Sequence, residues 1–222
     1  MFLGLSRRFA SDTPFRYGSR VKVSPHIRSK DFSKEVLLFA SPVKLHQTAN
    51  AILQTDSEGL KPGAFWEVFA KRTNESMHLL DGQTIARVLE CFHEKSDRLD
   101  LLSGLCHVVS QDLASSANKR LKYSSVDDLL ILMKALNSNL QVVESRAYDT
   151  IVHGLAELAY LVESPIQAKD ILTQMARMRP HDGAVTPIEN ILLERLTRIL
   201  GIVSTVSTSP SDVLRLVDAS KR

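Results

Sequence analysis

The chain of 222 residues holds 28 Lys and Arg against 25 Asp and Glu, a net charge of +3 that is concentrated at one end. Residues 1–30 contain Arg7, Arg8, Arg16, Arg20, Lys22, Arg28 and Lys30 against the single acid Asp12, so the remaining residues are slightly acidic and do not describe one continuous nucleic-acid footprint. The two cysteines exclude a disulfide framework, and the longest apolar stretch, 151–162, is broken by His153, Gly154 and Glu157, which excludes a membrane-spanning helix.

The chain opens on M-F-L-G-L-S-R-R-F-A-S, apolar and Arg-rich with Ser and no acid, as in a mitochondrial presequence, and Arg8-Phe9-Ala10-Ser11 resembles a matrix-processing site. Residues 12–30 mix Pro, Gly, Ser and basic residues with Phe15, Tyr17 and Val21 and show no sustained period, so an extended arm is expected. Residues 31–39 are a short helix candidate bearing Val36, Leu37 and Phe39.

From Ser41 onward one template recurs. A capping residue is followed by apolar or small residues four, seven and eight positions later, which is one stripe of a helix. Ser41 leads to Leu45, Thr48, Ala49 and Ile52; Asp81 to Ile85, Val88, Leu89 and Phe92; Ser125 to Leu129, Leu132, Met133 and Leu136. Ser164 leads to Ala168, Ile171, Leu172 and Met175, and Ser209 to Val213, Leu216, Val217 and Ser220. Three of the five caps precede proline, whose fixed φ and missing N–H suit a first helical position. A small residue stands ten places after the cap, as Ala51, Cys91, Ala135 and Ala219, with Gln174 the exception. After Ser125, Asp127 and Asp128 match the helix dipole and are expected on the solvent side.

Between these capped (B) helices lie four further helical segments (A), over 64–79, 99–113, 145–161 and 188–202. The A segments carry Phe65, Trp66 and Phe69, then Leu102, Leu105 and Val109, then Ile151, Val152 and Leu155, then Ile191, Leu192, Leu196, Ile199 and Leu200. Linkers such as 94–98 and 137–141 have turn-forming composition. Trp66, among apolar neighbours, reads as core. Self-similarity at this period is the mark of a helical array, in which each hairpin hides its apolar face only against the next. The expected fold is all-α: a right-handed α-solenoid of four to five antiparallel hairpins over 31–222, behind a basic arm over 1–30.

The B helix, [Ser/Asp]-x-x-x-Leu-x-x-Leu-Leu-x-Ala-Leu, resembles the heptatricopeptide or octotricopeptide repeats of FAST-kinase-like and RAP-containing proteins. The clearest single copy is Phe65-Trp66 to Met77 followed by D-G-Q-T-I-A-R-V-L-E-C-F. The tetratricopeptide pattern Trp-x-x-Leu-Gly-x-x-Tyr is absent. The resemblance implies a protein of the mitochondrial matrix working in organellar RNA processing or in a divergent mitochondrial ribosome. The array is short and lacks a RAP-like segment after it, so a building block of a larger assembly is expected.

Cys91, His93, Cys106 and His107 are four zinc-type ligands that one hairpin could gather, but Cys91 fills the small-residue position and no Cys-x-x-Cys pair exists. Two reduced, buried thiols are expected, with no metal or cofactor. No phosphate-cradling Gly loop or Ser-centred nucleophile motif is found, so an enzyme is not expected. Basic pairs at Lys71-Arg72, Lys119-Arg120 with Lys122, Arg177 with Arg179, and Arg195 with Arg198 read as a solvated face. The function expected is a structural subunit of the mitochondrial ribosome, with ribosomal proteins and rRNA as partners. Arg7, Arg8, Arg16, Arg20, Lys22 and Arg28 would touch rRNA, and Val213, Leu214, Leu216 and Val217 of the last helix would dock a partner protein. The alternative is a scaffold subunit of a respiratory complex such as ATP synthase.

Overall fold

The computed structural model describes residues 37–55, 63–115, 120–140, 143–179 and 185–201. Among the described residues the structure is all-helical, with no strand. The helices are α1 (Pro42–Leu53), α2 (Gly63–Ser76), α3 (Gly82–Lys95), α4 (Leu99–Ser115), α5 (Val126–Asn139), α6 (Ser145–Glu157), α7 (Pro165–Met178) and α8 (Pro187–Ile199). Short 3-10 turns, Met77–Leu79 and Ala159–Leu161, follow α2 and α6. The basic arm and the segment capped by Ser209 lie outside the described residues.

Four caps lie where the template puts them. Ser41 Oγ accepts from Lys44 N at 3.3 Å and Asp81 Oδ1 from Thr84 N at 2.8 Å. Ser125 Oγ accepts from Asp128 N at 3.1 Å while Asp128 Oδ2 accepts from Ser125 N at 2.9 Å, a reciprocal capping box. Ser164 caps α7 by position, without a side-chain bond. A fifth cap was not expected from the sequence: Thr186, ahead of Pro187, forms a second capping box with Glu189. Asp128 and Glu189 are only 2% and 1% exposed, so the solvent position expected for Asp128 is corrected. Both carboxylates close a helix N-terminus that the neighbouring repeat covers, and the bonds to backbone N–H offset their desolvation.

Odd-numbered helices pack in succession, α1 on α3 on α5 on α7, and even-numbered ones do the same, α2 on α4 on α6 on α8. The polar contacts between odd neighbours fix their sense. His46 meets Thr84, Asp127 meets Gln167, Lys134 meets Asp170, and Asn137 meets Gln174. In each pair the two residues stand within three positions of one another counted from their caps, so the odd helices run the same way. Gln174, the exception to the small-residue rule, is accommodated because Asn137 Nδ2 donates to its Oε1 at 2.8 Å and its backbone oxygen at 3.1 Å.

The core is the apolar stripe predicted by the template. Leu45, Ala49, Ile85, Leu89, Phe92, Leu129, Leu132, Met133, Leu136, Ile171, Leu172 and Met175 are buried, and each large side chain contributes about 1.5–3 kcal/mol by leaving water. Trp66 and Phe69 of α2 pack on Phe92 of α3, with ring centroids 4.9 and 5.4 Å away, and Phe65 packs edge-on against Trp66 at 5.4 Å, so Trp66 is core. In α8 the register differs from expectation. Ile191 is exposed, and Leu192, Leu193 and Leu196 form the buried stripe, because Thr186 starts the helix and turns Glu189 inward. The linker expected from Asn137 also starts later, since α5 continues to Asn139, whose Nδ2 donates to Ala135 O at 2.8 Å.

Candidate functional site

Arg7, Arg8, Arg16, Arg20, Lys22 and Arg28 lie outside the described residues, as do Val213, Leu214, Leu216 and Val217, so the structure brings together neither expected set. The described residues instead build a surface at the turns that pass from an even helix into the next odd one. The odd helices run the same way and pack in succession, so the turns before Ser41, Asp81, Ser125 and Ser164 gather at one edge.

Each turn is held by the repeat that follows it. A carbonyl oxygen can accept twice, and Met77 O and Ala159 O do so, each taking an N–H of its own turn, from Leu80 and Val162, besides a side chain. Here Arg72 Nε donates to Ala40 O at 2.9 Å, Arg120 Nη1 to Met77 O at 2.6 Å, Thr150 Oγ1 to Leu113 O at 3.2 Å, and Arg195 Nε to Ala159 O at 2.6 Å. Three of the four donors are guanidinium groups, which also oppose the negative end of a helix dipole. Arg120 further pairs with Asp112, whose carboxyl is nevertheless pushed above the ordinary range because burial outweighs the attraction of Arg120. The expectation of a solvated basic face is therefore corrected in part, since Lys71, Lys122, Arg177 and Arg198 are exposed. One arginine of each basic group is a link within the fold: Arg72, Arg120 and Arg195 to carbonyls, and Arg179 to Glu189 at 3.5 Å.

A row of large side chains remains outside these links. Phe39 is 87% exposed, Leu79 60%, Tyr123 77% and Tyr160 65%, one for each turn, with Leu161 beside Tyr160. Phe39, Leu79 and Tyr123 each stand two residues before a cap, and Tyr160 four before Ser164. The sequence reading places Phe39 and Leu161 among the apolar residues of helical segments, has Leu79 only as the end of one, and passes over Tyr123 and Tyr160. For Phe39, Leu79 and Tyr123 the shared offset of two from the cap was the available signal, which Tyr160 does not follow. Lys122 Nζ lies 5.6 Å from the Tyr123 ring centroid, a cation–π contact that orients the ring.

Two buried polar groups lie between repeats. Beneath the caps of α1, α3 and α5, His46 Nδ1 is 3.3 Å from Thr84 Oγ1 and Arg87 Nη2 3.8 Å from Asp128 Oδ1. Burial holds the His46 imidazole below its usual value, with Asp81 opposing the shift. Between α6 and α8, Tyr148 Oη donates to Glu189 Oε1 at 2.6 Å, and burial first and this bond second push the Tyr148 hydroxyl upward. Cys91 and Cys106 are both buried, and burial raises each thiol to about 12. They are inert as nucleophiles. Among the described residues no group of three His, Cys, Asp or Glu is placed to hold a metal ion, and His107 instead contacts Gln111 Nε2 at 3.0 Å. No described helix is long and apolar enough to cross a membrane. In comparisons with known proteins, no family model and no curated protein matches the chain.

Proposed function

We propose that this chain is a non-catalytic scaffold subunit of the mitochondrial ribosome, a right-handed α-solenoid of antiparallel hairpins that positions other components. The observation that carries the scaffold reading is how its polar groups are used. Buried carboxylates close helix ends, arginines link turns, and surface pairs such as Lys134–Asp170 at 3.0 Å join neighbouring helices, which leaves a stiff body with an apolar edge. The ribosomal part rests on the sequence: the presequence-like start, seven basic residues within the first 30, and the likeness of the B helix to organellar RNA-associated repeats. Phosphates are the partner that such an arm suits, and Phe9, Phe15 and Tyr17 would stack on unpaired bases.

A tagged full-length chain sedimented from mitochondria tests the reading. It is expected in the ribosomal fraction and is expected to leave that fraction after ribonuclease treatment. A respiratory-complex scaffold is the second reading, favoured by the arginines of the turn edge being bound to carbonyls and withheld from phosphate. It predicts a large particle that ribonuclease leaves intact.

A further inference from the structure

We draw no further inference here: the strongest candidate, the surface patch of exposed Phe39, Leu79, Tyr123 and Tyr160 along the turn edge, carries nothing because nothing in the structure shows what covers it.

Discussion

The amide of Gly82 donates to the carbonyl of Arg120 at 3.0 Å, and this bond joins the turn before α3 to the turn before α5. A Cβ at Gly82 would overlap Ser124 Oγ and stand 2.8 Å from Leu121 Cδ2. This is why the second repeat begins Asp-Gly where the first and fourth begin Ser-Pro. Proline would remove the donated N–H, and any side chain would part the turns.

Gly82→Ala is accordingly expected to cost about 1–3 kcal/mol through overpacking, and Gly82→Pro more, since it also loses the bond to Arg120. Urea unfolding at fixed pH measures both. A Gly82→Ala variant as stable as wild type would mean that the turns part without cost.

Phe92 and Leu136 occupy the same template position in successive odd helices and are both fully buried. Phe92→Ala should cost roughly 3–5 kcal/mol and Leu136→Ala roughly 2–5 kcal/mol, the transfer term plus the cavity left behind. Thermal unfolding that matched wild type in either case would remove that residue from the core.

His46 predicts a pH dependence with a definite sign. Its folded value lies below the ordinary 6.5 because burial disfavours the imidazolium, while Asp81 and Asp128 oppose the shift and Arg87 adds to it. The unfolded chain therefore binds the proton more readily, and this contribution is intact above 6.5 and is lost as pH falls through that value toward the folded one. His46→Gln should lose less stability than wild type between about pH 7.5 and about pH 5.5. Asp112 and Asp149 act oppositely: burial raises both from 3.8, so acidification relieves them, equally in wild type and in the variant. Melting curves of both proteins across that range decide the matter, and parallel losses would exclude His46 as the source.

In the basic arm, joint replacement of Arg16, Arg20, Lys22 and Arg28 by Ala should release the protein from the ribosomal fraction at lower salt, because fewer counterions are exchanged on binding. A salt series of sedimentation profiles reads the shift. An unchanged release point would exclude these four residues from phosphate contact.

The sequence by itself determined the helices and most of their caps. A cap acts on an amide three residues ahead, and an apolar stripe needs only residues four, seven and eight positions on, so Ser41, Asp81, Ser125 and the stripes through Phe92 and Leu136 could be read without knowledge of neighbours. Even there Thr186 was passed over, although Pro187 follows it and its partner Glu189 stands three residues on. Only the tertiary structure decided which polar residues turn inward and which apolar ones turn outward. Asp128 and Asp127 are adjacent and chemically alike, yet one is buried under the preceding repeat beside Arg87 and the other is exposed and accepts from Gln167 Nε2 at 2.8 Å. Arg120 binds Met77 O, and Tyr123 is left bare, for the same reason. The groups that cover a side chain belong to a neighbouring repeat, dozens of residues away in sequence, and local spacing carries no record of them.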